Sequence, residues 1–128
     1  MIFVDTNVFM VAVGRDHPLR SEARDFFHRA LENELSLVTS AEVLQEMLHA
    51  YLPVGRTSTL DLALEMVRRT TTAVWSLEPD DVRLARGLAD THRGLGARDL
   101  LHLACCLRRE IDDLRTFDRA LSAAFERR

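Results

Sequence analysis

The chain has 128 residues and a formal net charge of -3. That length suits one domain, and folding at this size buries roughly two-thirds of the surface the unfolded chain exposes. All 17 basic residues are arginine, which excludes the Walker A phosphate loop, Schiff-base lysines and the Ser-x-x-Lys hydrolases.

Ile2-Phe3-Val4 is a short apolar run ended by Asp5-Thr6-Asn7. It predicts a buried parallel strand feeding a helix. Val8 to Val13 predicts a short apolar helix stopped near Gly14. Beyond the Asp16-His17-Pro18 turn, Leu19, Ala23, Phe26, Phe27, Ala30 and Leu31 fall on one helical face. Leu35 to Val38 is a second buried strand. Thr39 or Ser40 then caps a helix whose core side carries Leu44, Met47, Leu48 and Tyr51, until Pro53 and Gly55 end it. Thr57 to Arg69 predicts a further helix with Leu60, Leu64 and Val67 inward, and Ala73-Val74-Trp75 a third strand. Pro79 opens a helix carrying Val82, Ala85, Leu88 and Ala89. Gly94 and Gly96 break the chain before residues 97–109, which are apolar on nearly every side and predict a buried central helix. Leu114 to Phe117 is the last strand, and a terminal helix starts at Asp118. Strands alternating with helices over residues 1–128 imply a single α/β domain. Its expected form is a three-layer α/β/α sandwich around a mostly parallel sheet of four or five strands.

No apolar run approaches the ~18 residues of a membrane span. Met1 to Val4 has no basic segment before it, so no signal peptide is expected and the cytoplasm is the expected location. Cys105 and Cys106 are adjacent inside an apolar stretch, the wrong spacing for zinc, and are expected to be buried, inert thiols.

In a parallel sheet, ligands bind beyond the carboxyl ends of the strands. Asp5 follows the first strand. Ser40 follows the second, with Glu42 and Glu46 on the helix it opens. Asp118 follows the last, and Asp99 lies in the first turn of the buried helix. Each acid taken singly also fits a bland role: Asp5 and Asp118 as helix caps, Asp99 as a partner of the helix dipole. Glu46 falls beside Val43 and Ala50, one turn beyond Glu42, and spacing alone does not separate the two glutamates. Gathered at one rim, the acids face a cost. Two carboxylates ~4 Å apart repel by roughly 4 kcal/mol at an effective dielectric of 20. Four of them take up protons or hold cations. Oxygen ligands alone suit Mg2+ or Mn2+. Such an ion would let an acidic protein act on a phosphodiester. His102, three residues after Asp99, is expected to be a core or orienting histidine rather than a ligand. Arg98, Arg15 and Arg20 are candidates for phosphate contact.

In order and spacing these residues resemble the PIN-domain ribonucleases, specifically the VapC-type toxins of toxin–antitoxin pairs. Phe3-Val4-Asp5-Thr6-Asn7 is similar to that family's first-strand motif, and Ser40 followed by Val43-Leu44-Gln45-Glu46 to its glutamate helix. Ala97-Arg98-Asp99-Leu100-Leu101-His102-Leu103-Ala104 resembles its buried-helix motif, and Thr116-Phe117-Asp118 its last acidic motif. The resemblance spans nearly the whole chain. It implies a nuclease in which Asp5, Glu46, Asp99 and Asp118 bind Mg2+ or Mn2+, while Asn7 and Thr116 orient ligands or water. It implies hydrolysis of RNA, a cognate antitoxin partner, and a homodimer. Two competing expectations differ. One is a catalytically silent scaffold of the same fold. The other is a haloacid-dehalogenase-like phosphatase, which needs a second Asp two positions after the first, where Asn7 stands, and a Lys that is absent.

Overall fold

The structure is a computed structural model describing residues 1–128. Three strands open it in the expected order, each leading to helices. Strand β1 (Ile2–Val4) leads to helices α1 (Thr6–Val13) and α2 (Arg20–Glu32). Strand β2 (Leu37–Ser40) leads to α3 (Ala41–Tyr51) and, after a single 3-10 turn, α4 (Thr57–Thr70). Strand β3 (Thr71–Trp75) is followed by α5 (Pro79–Leu88) and α6 (Ala97–Arg108), and β4 (Asp113–Arg115) by α7 (Arg119–Glu126). The four strands form one sheet in the order β3-β2-β1-β4, and every pair is parallel. Ile2 stands beside Leu37 on one side and Asp113 on the other.

That order places the helices. The chain steps outward from β1 to β2 to β3, and right-handed crossovers put α1 to α4 on one face. The return from β3 across the sheet to β4 runs the other way and puts α5 and α6 on the opposite face. The packing agrees: α1 touches α2, α3 and α4, whereas α6 touches α5 and α7. The three-layer expectation holds, with four strands. Because the chain leaves β1 and β4 toward opposite layers, a crevice opens beyond their carboxyl ends.

Phe3, Val4, Val38, Val43 and Met47 are completely buried between the layers, as are Leu103 and Leu121 within about a hundredth of their surface. Three expectations are corrected. The second strand starts at Leu37, not Leu35, which is exposed; the shift draws Thr39 and Ser40 into the interior. Thr39 is tolerated there because its hydroxyl donates to the Val4 carbonyl at 2.8 Å. The last strand ends at Arg115, leaving Thr116 and Phe117 in the crevice loop. Finally, several helices are rotated. The inward arc of α3 is Val43-Met47-Tyr51, and Leu48 is exposed; Leu31, Leu64 and Val82 are also exposed. The apolar stripe of each helix is wider than the arc its layer can cover, so periodicity alone does not set the rotation.

The buried Asp81 of α5 was not anticipated. It receives Arg108, the last residue of α6, and Arg109, its C-cap, each at 2.8 Å, and the two helices are bracketed together. Burial alone would raise the Asp81 carboxyl. Hydrogen bonds from Arg109, the Glu78 backbone and Arg108 instead hold it down to about 2.

Candidate active site and metal centre

Asp5 is the first residue past β1. Its extended backbone (φ -76°, ψ 159°) turns the chain into α1, and the Thr6 N–H donates to its Oδ1 at 2.7 Å. The cap consumes one oxygen. The other, Oδ2, accepts from the Thr116 hydroxyl at 2.7 Å. Asp118 repeats the arrangement at α7, its Oδ1 accepting the Leu121 N–H at 3.0 Å. Both acids are helix caps, and the cap takes one oxygen of each; the second oxygen of Asp5 is held by Thr116.

Asp5, Glu46, Asp99 and Asp118 line one open cavity of about 610 Å³, together with Thr6, Asn7 and Arg98. They come from four separate elements. Glu46 reaches the cavity because of the rotation of α3, which places it at the flank of the Val43–Met47 arc. Its Oε2 accepts the Thr6 hydroxyl, and its Oε1 lies 3.0 Å from His102 Nε2. His102 Nε2 is also 3.5 Å from Asp5 Oδ1. The ligand atoms of Asp5, Glu46 and His102 all lie within 4.8 Å of one another, close enough for one ion.

The charges are unevenly held. Burial works to raise the Glu46 carboxyl, but the His102 hydrogen bond and charge, the Thr6 hydroxyl and the Arg98 charge leave it lowered. Burial likewise works to lower His102, and the Glu46 hydrogen bond and the Asp5, Glu46 and Asp99 charges leave it raised. Asp99 is the exception. Burial, then the charges of Asp118 and Asp5, push it up to about 6, and no hydrogen bond relieves it. A carboxyl crowded by acids and served by no protein donor fits a place for a hard cation.

Other expected residues are sorted by the geometry. Asn7 donates from Nδ2 to the Thr116 hydroxyl at 3.2 Å and accepts the Phe117 N–H at 3.1 Å, tying the start of α1 to the loop after β4. Ser40 is buried and caps α3 through Val43 N–H at 3.4 Å. It does not line the cavity and acts on Glu46 only through the helix it starts. Glu42 does not line the cavity either, so Glu46 is the glutamate the fold selects. Arg98 stands at the cavity. Arg15 and Arg20 do not, because α1 carries the chain away from the sheet edge before either is reached. Thr6 was missed, although its place directly after the strand-ending Asp5 was a signal. Gly94 lies in a turn and Gly96 is the extended N-cap of α6, so the two break the chain as expected, and Cys105 and Cys106 are buried and free.

Residues 2–126 match the PIN domain family. The chain is 62% identical to ribonuclease VapC23 of Mycobacterium tuberculosis over 125 residues, covering 98% of each chain. It is 36% identical to ribonuclease VapC13 of the same organism over 123 residues, covering 96% of this chain and 94% of the relative. Among solved structures it is similar to M. tuberculosis VapC20, described as a sarcin–ricin-loop-cleaving toxin. The TM-score is 0.73 at 22% identity, over 97% of this chain and 95% of that one. VapBC2 of Rickettsia felis, bound to a promoter DNA fragment, aligns with a TM-score of 0.70 at 15% identity, over 92% of this chain and 88% of that one. Fold, cavity and sequence agree, and the chain belongs to the PIN-domain family, in its VapC branch.

Proposed function

We propose that this chain is a divalent-metal-dependent endoribonuclease that hydrolyses RNA phosphodiester bonds as the toxin of a toxin–antitoxin pair. One observation carries the reading. Four acids, just past β1, on α3, on α6 and at the cap of α7, converge on a single cavity in which Asp99 has no protein donor to neutralise it. The ribonuclease names of relatives aligned over nearly the whole chain support the same reaction.

Asp5, Glu46, Asp99 and Asp118 are the residues that would hold Mg2+ or Mn2+. Such an ion, when bound, polarises a phosphoryl oxygen and lowers the pKa of a water. The chain's own residues prepare that chemistry. Thr116 and Thr6 hold one oxygen each of Asp5 and Glu46, so neither carboxylate has to be ordered when the ion arrives. Below about pH 6 Asp99 holds a proton that a cation would have to displace. Arg98, exposed at the rim, offers the cavity's one cationic side chain to a phosphate.

The proposed partners are an RNA substrate and a small cognate antitoxin, and the proposed setting is the cytoplasm. A homodimer is the proposed assembly, checked by light scattering on the eluted protein. No helix is long and apolar enough to cross a membrane.

Purified wild type and Asp5→Asn are compared on single-stranded RNA and on DNA of the same sequence, with Mn2+ and with Mg2+. Wild type is expected to cut RNA, and Asp5→Asn to lose at least about a hundredfold in rate with its fold intact. Equal cleavage by the two proteins rejects the assignment. Induction in cells adds the toxin arm: growth arrest is expected from wild type and not from Asp5→Asn.

A further inference from the structure

His102 sits where the layers meet the cavity, yet it does not line the cavity. Its side chain is 1% exposed and packs against Phe3, with ring centroids 5.7 Å apart. Nε2 is within reach of two carboxylates, Glu46 at 3.0 Å and Asp5 at 3.5 Å. An ionised carboxylate only accepts, so Nε2 carries the proton in these contacts. The second ring nitrogen, Nδ1, is buried without a partner. Packing alone does not account for this. An apolar side chain of similar volume would fill the same space without an orphaned nitrogen. What the imidazole supplies, and an apolar group would not, is one N–H to Glu46 Oε1, the oxygen that Thr6 does not hold.

We propose that His102 is a positioning residue of the metal centre, its Nε2–H holding the Glu46 carboxylate beside Asp5 while the ring stays outside the ion's own coordination. The proposal rests on the metal-centre reading above. Partners that orient ligating groups typically change metal affinity by about 10- to 100-fold when removed. Glutamine carries an amide N–H near the reach of Nε2, whereas leucine fills the space with no donor.

The test is Mn2+ titration calorimetry on the full chain as wild type, His102→Leu and His102→Gln, each checked for fold by circular dichroism. Pulsed EPR on the Mn2+-loaded wild type accompanies it. His102→Leu is expected to bind at least about tenfold more weakly, and His102→Gln within about threefold of wild type. The wild-type EPR is expected to show no nitrogen coupling to the ion. Unchanged affinity in His102→Leu, or an equal loss in both variants, overturns the proposal, as does a directly bound nitrogen. Should His102→Leu fail to fold, His102→Gln decides: binding near wild type supports the proposal and a tenfold loss overturns it. A wild type that binds no Mn2+ overturns the metal-centre reading itself, and this proposal with it.

Discussion

The Thr116 hydroxyl donates to Asp5 Oδ2 at 2.7 Å and joins two residues 111 positions apart in the chain. The same oxygen accepts Asn7 Nδ2 at 3.2 Å and the Asp118 N–H at 3.0 Å. One side-chain atom thus locks the start of α1 to the loop that leads into α7, across the crevice where the two layers part. Two of the four acids are set by it, one directly and one through its backbone.

Thr116→Val removes that atom and keeps the shape. The Asn7 amide and the Asp118 N–H lose their acceptor, which costs about 1–3 kcal/mol of stability. Mn2+ affinity is expected to fall about tenfold, because Asp5 loses the donor that orients it. Thr116→Ser retains the hydroxyl and is expected to stay close to wild type in both. Chemical denaturation and calorimetric titration read the two effects separately.

Metal binding is expected to depend on pH through Asp99. Its carboxyl is raised to about 6 by burial and by the charges of Asp118 and Asp5. Between the ordinary carboxylate value of 3.8 and about 6 the folded metal-free chain holds this proton and the unfolded chain does not. The metal-free protein therefore loses stability from this group as pH rises through that window. A bound cation displaces the proton and removes the penalty. The rise in Tm on adding Mn2+ is expected to be larger at pH 7.5 than at pH 5, with proton release in calorimetry at pH 5. A Mn2+-induced shift independent of pH contradicts this. In Asp99→Asn the pH dependence is expected to flatten.

Asp81 predicts the opposite sign. Its folded value, about 2, lies below the ordinary 3.8, because Arg109, the Glu78 backbone and Arg108 favour the charged form. The stability it contributes is present above about pH 4 and is lost as pH falls through about 2. Asp81→Ala leaves Arg109, stacked 5.2 Å from the Trp75 ring, without its buried counter-charge. The expected loss is about 1–3 kcal/mol in urea unfolding, because Glu78 still takes Arg109 at 2.8 Å. RNA cleavage per folded molecule is expected to be unchanged, since the bracket lies outside the cavity.

Neither thiol is expected to react in the native protein. Burial pushes Cys105 up to about 11 and Cys106 higher still. Thiolate is the reactive form. Labelling by a disulfide reagent at pH 7.5 is therefore expected to follow global unfolding and to speed up only in denaturant. Rapid labelling of the native chain would show that α6 opens locally.

The split between what was legible and what was not follows from the kind of information each residue carries. The apolar run Ile2–Val4 reads as a buried strand and Ala73–Trp75 as a strand, although β3 lies at the sheet edge and leaves Val74 exposed, and the acids after the first and last strands followed from topology. The glutamate was different. Glu42 and Glu46 lie one turn apart, and no periodicity separates them. The choice fell to the rotation of α3, which the sheet decides by taking Val43 inward and leaving Leu48 out. Thr6 was hidden for a related reason, and the sequence left His102 open between a core and an orienting role. A buried threonine or histidine looks alike in sequence whether it serves the core or a site.

Local pattern alone thus determined the element order, the α/β architecture and the set of acids that follow the strands, because burial periodicity and helix starts are short-range properties. Tertiary structure alone decided which face each helix turns inward, that Arg98 rather than Arg15 reaches the cavity, and that His102 grips Glu46. Those outcomes depend on the angle at which one layer settles on another, and that angle is set by side chains far apart in the chain.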